Sequence, residues 1–522
     1  MIESLEPERA EPGVVVSVTG RYFGSRGRLE VDGIALDRDA LRSWNDNLIV
    51  FTMPRDLRSG MVRVQTENGL SNPVFLTNRN DLPRITDDHG VHARSVSRRD
   101  AVPGTVVTVR GENFGLRTPR SSFGFYYPES GEQFDFSGNA WWIVRWVNRE
   151  FQFVLPEGLP PGPVHLVLNG RRAATDLVVQ PPTGSVSYGE PRHLHFHQGV
   201  DVQASPGEPL PELFALLVGL PELPAQPEVS IVEDEGSATG EDTPSARVYR
   251  PAPVADDTGE AGDGADGAPG HYRASRLDAV ARRSIRWQID SALPVATLRD
   301  DEFRRAFQRF LSDRDGVPVY DELVRNILGS AINLNNTPLV IARTVHRETQ
   351  RRLIPDRSGT TVLMDALEGI AARASVYADL TVALLRASGL PARRQFGYLL
   401  ADTGATLDHA WAEVFLPGVG WVPLDPALGD GMYEDVFRAG RLFYGDDLAA
   451  DTFGALDDRR VTTHVDGIAY PRIFPQGAVL SPEATLHAAA TVRVEARGRE
   501  SLESVDVVWQ LPRITTIRRP SN

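Results

Sequence analysis

Residues 371–393 read AARASVYADLTVALLRASGLPAR, and residues 407–426 read LDHAWAEVFLPGVGWVPLDP. These two stretches decide the fold of the second half of the chain. In the first, apolar residues run from Leu380 to Leu385, which predicts a buried helix. In the second, apolar and polar residues alternate between glycine and proline turns, which predicts antiparallel strands. Helices followed by such a sheet indicate an α+β arrangement.

A histidine and an aspartate in the second stretch have the spacing of catalytic partners. Asp425 follows His409 after one turn and one further strand. Adjacent strands therefore bring the carboxylate beside the imidazole, where it orients the ring and supports its positive charge. A nucleophile is then expected at the N-terminus of a packed helix, where the dipole favours a thiolate. The chain contains no cysteine.

The order of the motifs resembles the transglutaminase-like superfamily, which has a papain-like fold and a Cys-His-Asp triad. The resemblance covers residues 335–426 and rests on A-x-L-x-x-A-L-L-R-A-x-G-L-P-A-R, G-Y, H-A-W-A-E-V and G-W-V-P-L-D-P. It implies that His409 is the base and Asp425 the orienting carboxylate, and that Ala374 stands at the nucleophile's position. The flanking motif positions are Gly397, Tyr398, Trp411 and Glu413.

Ser375 is the nearest hydroxyl that could replace the thiol. One residue along a helix is a rotation of about 100°, which aims this side chain away from His409. A hydroxyl is also far less acidic than a thiol and needs a well-aligned base. We therefore do not expect Ser375 to be catalytic.

Three hypotheses fit this remnant of a triad. In the first, the chain is a pseudoenzyme that binds a protein or peptide in its groove. In the second, position 374 is natively cysteine, and the chemistry is acyl transfer, as in a transglutaminase or a cysteine peptidase. In the third, the protein is an envelope or surface scaffold, in which N-terminal modules set the spacing. The first is favoured for the chain with Ala374.

The N-terminal part of the chain contains an internal repeat. EPGVVVSVTGRYFG begins at Glu11 and VPGTVVTVRGENFG at Val102, and each copy continues into a tryptophan-containing strand that ends in proline. Period-2 alternation with Pro-Gly turns predicts β-sandwiches. The pattern resembles the IPT/TIG family of immunoglobulin-like domains, at residues 1–80 and 88–181. Such domains are typically spacers, adhesive modules or dimerisation units.

The remaining boundaries follow from composition. Residues 182–270 are predicted to connect the repeats to the α+β domain, and 233–270 to form a flexible acidic linker or long surface loop. The transglutaminase-like α+β domain is expected at 271–455. A β extension of unknown role is expected at 456–522.

Three histidines, His193, His195 and His197, alternate in PRHLHFHQGVDV and form a weak candidate for a metal site. Histidines at i and i+2 of a strand project from one face and can share a metal ion. A polar, solvent-facing strand edge explains the same pattern and is favoured, because no acidic or additional ligand is placed nearby. No metal or cofactor is therefore expected.

Charge and composition exclude several classes of function. The net charge of −15 argues against a nucleic-acid partner, and no apolar run is long enough to span a membrane. All 55 basic residues are arginine. Two accounts fit this absence of lysine: codon bias in a GC-rich bacterial genome, or a chain that offers no side-chain amine to an acyl-transfer enzyme. The N-terminus does not resemble a secretion signal, so the protein is expected in the cytoplasm if that end is native. If a leader was removed, the cell envelope or the outside of the cell is favoured.

Overall fold

The computed structural model describes most of the chain, which is multidomain and rich in strands. The described residues are 1–66, 69–81, 90–118, 120–138, 140–205, 210–239, 246–254, 270–290, 295–313, 316–466, 473–474, 478–480 and 491–517.

The first β-rich unit has two sheets on one core. Its strands are β1 (Ile2–Glu6), β2 (Arg9–Ala10), β3 (Val15–Gly20), β4 (Arg28–Val31), β5 (Ile34–Ala35), β6 (Leu41–Trp44), β7 (Leu48–Thr52), β8 (Gly60–Thr66), β9 (Gly69–Leu70) and β10 (Val74–Asn78). One sheet has the order β1-β3-β7-β6 and the other β2-β10-β8-β4-β5, with β9 paired to β8. Phe51 and Val62, one from each sheet, are buried in the common core.

The second β-rich unit repeats this topology. Its strands are β11 (His92–Val96), β12 (Asp100–Ala101), β13 (Val106–Glu112), β14 (Ser122–Tyr126), β15 (Gln133–Ser137), β16 (Ile143–Val147), β17 (Glu150–Val154), β18 (Gly162–Leu168) and β19 (Arg171–Val179). The sheets run β11-β13-β17-β16 and β12-β19-β18-β14-β15, which match those of the first unit. Gly13 and Gly104 of the Pro-Gly turns both have a left-handed φ, +88° and +87°, which favours glycine. The sequence repeat is thus also a repeat of topology, while the immunoglobulin-like type stays a prediction.

A third set of strands follows the repeats. It comprises β20 (Gly184–Tyr188), β21 (Arg192–Ala204), β22 (Leu213–Val218), β23 (Glu228–Glu235), β24 (Ser237–Ala238), β25 (Ala246–Arg250), β26 (Ala252–Pro253), β27 (His271–Arg282) and β28 (Ile285–Ile289).

Most helices lie in the α+β part. In chain order its elements are α1 (Val295–Leu298), α2 (Asp301–Ala306), α3 (Glu322–Ala331), α4 (Pro338–Arg352), β29 (Pro355–Thr360), α5 (Leu363–Leu367), α6 (Ala374–Ala387), β30 (Ala392–Leu400), β31 (Thr406–Leu416), β32 (Gly420–Leu424), α7 (Pro426–Gly429), α8 (Arg438–Arg441) and α9 (Leu448–Asp451). The last elements are β33 (Ala455–Leu456), β34 (Arg460–Val465), β35 (Ala478–Leu480), β36 (Val492–Ala496), α10 (Arg499–Glu503) and β37 (Val505–Thr516). An antiparallel sheet of order β32-β31-β30-β34 packs against α6.

Strand pairing crosses both predicted boundaries around the α+β domain. One sheet has the order β23-β27-β21-β37 and another β24-β25-β22-β36-β35, so that strands from 182–282 pair with strands of the C-terminal tail. β34 of the tail also completes the sheet of the α+β domain. The tail therefore contributes strands to three sheets. Its apolar residues, such as Val494 and Ile514, are buried there.

The predicted acidic linker is partly strand. β23 extends to Glu235, and β25 pairs with β22 while burying Val248 and Tyr249. The acidic and glycine-rich composition of residues 233–270 obscured this short apolar segment. Residues 240–245 and 255–269 of the predicted linker lie outside the described residues.

The second β-rich unit packs directly on the α+β part. The Trp141 ring lies 4.9 Å from Phe310 and 6.2 Å from Trp421, centroid to centroid. Glu157 of the same unit accepts a hydrogen bond from the Trp421 backbone N–H at 2.6 Å. A shared aromatic contact therefore joins the two parts.

Candidate functional site

The predicted nucleophile position lies at the first residue of α6. Ala374 is buried, and Arg373 precedes it at the N-cap. An Arg373 guanidinium nitrogen lies 4.0 Å from the Asp408 carboxylate, next to His409 on β31. The N-terminus of α6 thus lies close to the segment that carries the predicted base.

His409 and Asp425 meet in the interior, as the spacing predicts. Both side chains are fully buried, and His409 Nε2 lies 2.7 Å from Asp425 Oδ2. The other carboxylate oxygen, Oδ1, accepts a hydrogen bond from the Leu428 backbone N–H at 3.1 Å. Asp425 therefore also caps α7. Because an ionised carboxylate only accepts hydrogen bonds, Nε2 carries the proton and Nδ1 is the nitrogen left to act as a base.

Asp425 is held as a carboxylate by buried positive charge. Arg460 of β34 donates from Nη1 to Asp425 Oδ2 at 3.0 Å. Burial alone would raise the pKa of Asp425, but His409, Arg460 and the Leu428 N–H together lower it to about 2. The sequence did not indicate Arg460, which lies beyond the predicted end of the domain.

Arg460 is itself fully compensated. It pairs with Asp457 and donates to the Tyr444 hydroxyl at 2.9 Å, and that hydroxyl donates to Asp457 at 2.7 Å. Its guanidinium also lies 4.9 Å from the Trp411 ring centroid. Burial tends to lower the pKa of Arg460, but Asp457, Tyr444 and Asp425 raise it overall. The guanidinium is thus a permanent cation behind Asp425.

Tyr433 lies against the remaining nitrogen of His409. Its hydroxyl oxygen is 3.0 Å from Nδ1 and 2.9 Å from the Asp408 carbonyl oxygen. The single hydroxyl hydrogen is donated to a neutral Nδ1, or to the carbonyl when Nδ1 carries a proton. Burial, with the charges of Asp408 and Asp425, raises the pKa of Tyr433 well above its ordinary value, so the phenol stays protonated. No spacing or motif in the sequence pointed to this residue.

The flanking motif residues support the site through packing. Trp411 stacks on the His409 ring at 5.8 Å between centroids. Gly397 pairs with His409 across the sheet, and a Cβ there would come within 1.9 Å of the Val461 carbonyl oxygen. Glu413 accepts a hydrogen bond from Arg393 Nε at 2.6 Å. The Tyr398 ring packs on the Phe196 ring, with 5.6 Å between their centroids.

Ser375 is buried in α6, and its side chain forms no hydrogen bond with His409 among the described residues. The ring contacts of His409 are with Asp425, Tyr433 and Trp411. That Ser375 is not catalytic stays a prediction.

The three alternating histidines, His193, His195 and His197, lie on an inner strand. They belong to β21, which pairs with β27 on one side and β37 on the other, so the expectation of a solvent-facing sheet edge is wrong. His195, for example, lies opposite Ala279 of β27 and Thr515 of β37. The two neighbouring strands come from distant parts of the chain, which the local pattern does not reveal.

The same three histidines are not joined by further ligands. Across the described ranges, no group of three or more histidine, aspartate or glutamate side chains is placed to hold a metal ion. His193, His195 and His197 are therefore not brought together as a metal site, and each is partly buried within the sheet. Burial, with the charges of Arg513 and Arg273, lowers the pKa of His197.

The low pKa of Asp425 predicts a loss of stability in acid. A carboxylate with a folded pKa of about 2 and an unfolded pKa of 3.8 stabilises the fold above pH 4, and this contribution is lost as the pH falls towards 2. The shift corresponds to about 2 kcal/mol. In urea unfolding, the gap in unfolding free energy between the original protein and Asp425→Asn should narrow from pH 4 to pH 2. An unchanged gap would contradict the ionised state assigned to Asp425.

Comparison with known proteins bears on one part of the chain. Residues 323–426 match the family model of the transglutaminase-like superfamily. No curated protein matches the chain. Within the described residues, no helix is long and apolar enough to cross a membrane.

Two solved structures show distant similarity. One is a "putative cysteine protease" from Cytophaga hutchinsonii, with 14% identity, 65% of this chain and 95% of that chain covered, and a TM-score of 0.36. The other is the periplasmic domain of TgpA from Pseudomonas aeruginosa, with 16% identity, 45% of this chain and 98% of that chain covered, and a TM-score of 0.22.

The family match includes His409 and Asp425 but ends before Tyr433 and Arg460. The chain therefore contains a transglutaminase-like domain at residues 323–426.

Proposed function

We propose that this protein is a transglutaminase-like protein without the catalytic cysteine, and that it acts as an inactive protein- or peptide-binding or scaffold module. The observation that carries the proposal is the environment of His409. Its Nε2 is engaged by Asp425, and its Nδ1 lies 3.0 Å from the Tyr433 hydroxyl. A base needs a free nitrogen directed at its nucleophile, and here that nitrogen contacts a phenol that stays protonated.

The absence of a nucleophile supports the same proposal. Ala374 has no reactive atom, and the chain has no cysteine at any position. The buried His409, Asp425 and Arg460 then act as structural elements of the sheet. The N-terminal units, proposed to be IPT/TIG-like, would space or present this module.

A silenced enzyme is the second candidate, and the integrity of the buried pair favours it. His409 and Asp425 keep a 2.7 Å contact, and Asp425 keeps a low pKa, although no nucleophile uses them. If position 374 is natively cysteine, its thiolate would attack a glutamine amide or peptide carbonyl, and an amine or water would resolve the thioester.

Restoring the thiol distinguishes the two candidates. We expect Ala374→Cys to remain inert in amine incorporation and peptide cleavage, because Tyr433 keeps Nδ1 engaged. Ser375→Cys is the matched control, since it adds a thiol one helical position away. Iodoacetamide labelling and circular dichroism would check that each variant is folded and carries a thiol. Activity in Ala374→Cys that disappears in Ala374→Cys with His409→Ala would overturn the inactive module in favour of the enzyme.

The same variant series examines the role assigned to Tyr433. If Tyr433 withholds Nδ1 from a nucleophile, adding Tyr433→Phe to Ala374→Cys should accelerate alkylation of the new thiol, because imidazole would then be free to take its proton. If the alkylation rate of the folded double variant were unchanged, the role assigned to the Tyr433 hydroxyl would be wrong.

A further inference from the structure

A polar cavity lies away from the His409 site. It has a volume of about 30 Å³ and opens between the second β-rich unit, β20 and the sheet of the transglutaminase-like domain. Its polar and aromatic lining includes Glu157, Tyr188, Arg282, Arg393, Glu413 and Trp421. Glu413 stands four residues along β31 from His409, a distance of roughly 13 Å in an extended strand. The cavity is therefore a separate site on the same sheet.

Arg282 borders this cavity as a buried cation without a counter-ion. Only 1% of its surface is exposed. In the described part of the chain, its one side-chain hydrogen bond is to Thr462 Oγ1 at 3.3 Å, and its Nε has no partner. Among the described residues, no carboxylate lies within 4.0 Å of its guanidinium. Burial, with the nearby charge of Arg460, lowers the pKa of Arg282 to about 10. A buried charge in this state is costly unless an anion balances it.

Trp421 supplies a second donor that lacks an acceptor. Its indole Nε1 is buried and has no hydrogen-bond partner among the described residues, although its ring lines the cavity. Buried N–H groups nearly always find an acceptor in folded proteins. Arg282 and Trp421 thus both line this cavity, and each carries a buried donor that lacks an acceptor among the described residues.

The acidic side chains of the cavity are already engaged. Glu413 accepts from Arg393 at 2.6 Å, and Arg393 lies 4.1 Å above the Trp421 ring, so their charges cancel. Glu157 accepts the Trp421 backbone N–H at 2.6 Å. Burial raises the pKa of Glu157 to about 7, against the effects of that N–H and of Arg393. Arg282 is thus the charged group of the cavity that has no carboxylate in direct contact among the described residues.

We propose that this cavity binds a carboxylate, whose oxygens accept from the Arg282 guanidinium and the Trp421 indole N–H. A planar carboxylate matches the guanidinium fork, and the cavity holds only a group of a few atoms. Phosphate and sulfate are larger than a carboxylate group and fit a cavity of this volume less well. The carboxylate comes from a small free acid or from the C-terminus of a peptide. The site is independent of the function proposed for the His409 region.

Calorimetric titration of the full chain with sodium acetate at pH 6 and constant ionic strength tests the site. Arg282→Met should weaken acetate binding about tenfold or more, because it removes a charge-assisted hydrogen bond. The variant should still fold, since it replaces an unpaired buried charge by an apolar chain of similar size. Arg325→Met on the exposed face of α3 is the matched control and should bind as the original does.

Three results would overturn the assignment: no saturable acetate binding, equal acetate binding by folded Arg282→Met, or binding of chloride or phosphate as tight as that of acetate. Acetyl-trialanine and its C-terminal amide distinguish the sources of the carboxylate. Binding of the free-acid peptide but not of the amide would identify a peptide terminus, whereas binding of acetate alone would identify a free acid. Binding of the amide as tight as that of the acid would contradict a carboxylate site.

The charge of Glu157 provides a second readout. Acetate binding should weaken as the pH rises from 6 to 8, because Glu157 becomes ionised beside the carboxylate. The other titratable or charged groups that line the cavity are Tyr188, Arg282, Arg393 and Glu413. Glu157→Gln keeps an acceptor for the Trp421 N–H and should abolish this pH dependence. The same pH slope in both proteins would show that Glu157 does not face the bound anion.

Discussion

Replacing Asp425 by alanine is expected to destabilise the transglutaminase-like domain by about 3–5 kcal/mol, the usual effect of removing one partner from a buried ion pair. The substitution leaves His409 Nε2 without its acceptor at 2.7 Å and Arg460 Nη1 without its acceptor at 3.0 Å. It also removes the side-chain cap of α7. Neither partner reaches water, because all three side chains are fully buried.

Urea unfolding at pH 7 measures this loss, with the transition of the transglutaminase-like domain fitted separately from those of the N-terminal units. Asp435→Ala is the matched control, since it breaks an exposed pair with Arg357 at 2.9 Å in the same domain. Exposed pairs contribute about 0–1 kcal/mol. Equal losses for the two variants would mean that the buried network contributes no more than a surface ion pair.

The sequence predicted the parts of the site that lie within short, regular motifs. The turn and the single strand between His409 and Asp425 predicted that these two side chains meet, whereas the assignment of Ala374 to the nucleophile's position came from the resemblance to the transglutaminase-like superfamily. Tyr433 lies in the irregular segment after α7, where neither periodicity nor spacing constrains which side chain turns inward. Its contact with His409 depends on the path of the backbone in three dimensions.

Arg460 was missed for a different reason. The alternation in RVTTHV is typical of a strand, but periodicity does not identify the sheet that a strand joins. Composition placed a boundary at residue 456, and β34 crosses it to pair with β30. Because periodicity does not show which strands pair, His193 and His195 were also wrongly expected at a solvent-facing sheet edge. Their strand was recognisable from the alternation, but its pairing with β37 was not, because the two strands are about 300 residues apart.

The repeat of the N-terminal units could be predicted from the sequence because its signals are local. Both copies keep the same Pro-Gly turn and the same order of strands, so each copy supports the reading of the other. Local signals of this kind need no knowledge of distant pairing. The parts of the fold that were predicted are therefore those that short segments specify on their own.

The long-range pairings make the C-terminal tail essential to the fold, and a chain that ends at residue 458 should lose the folded transglutaminase-like domain. The deletion removes β34 with Arg460, so that Asp425 loses its buried cation. It also removes β36 and β37, which exposes the edges of β22 and β21. Unpaired edges with apolar faces promote aggregation, so low solubility is expected as well.

Deletion of residues 1–81 is the informative control, because it removes a similar length of chain without breaking any other sheet. The first unit has its own core and pairs its strands only among themselves in the described residues. Circular dichroism and thermal unfolding should show a native-like transition for the chain without 1–81 and none for the transglutaminase-like domain of the chain without 459–522. If residues 1–458 unfolded at the original temperature, the tail would be dispensable for the fold. A loss of folding confined to the C-terminal deletion would instead assign Arg460 and its strand to the domain that carries His409.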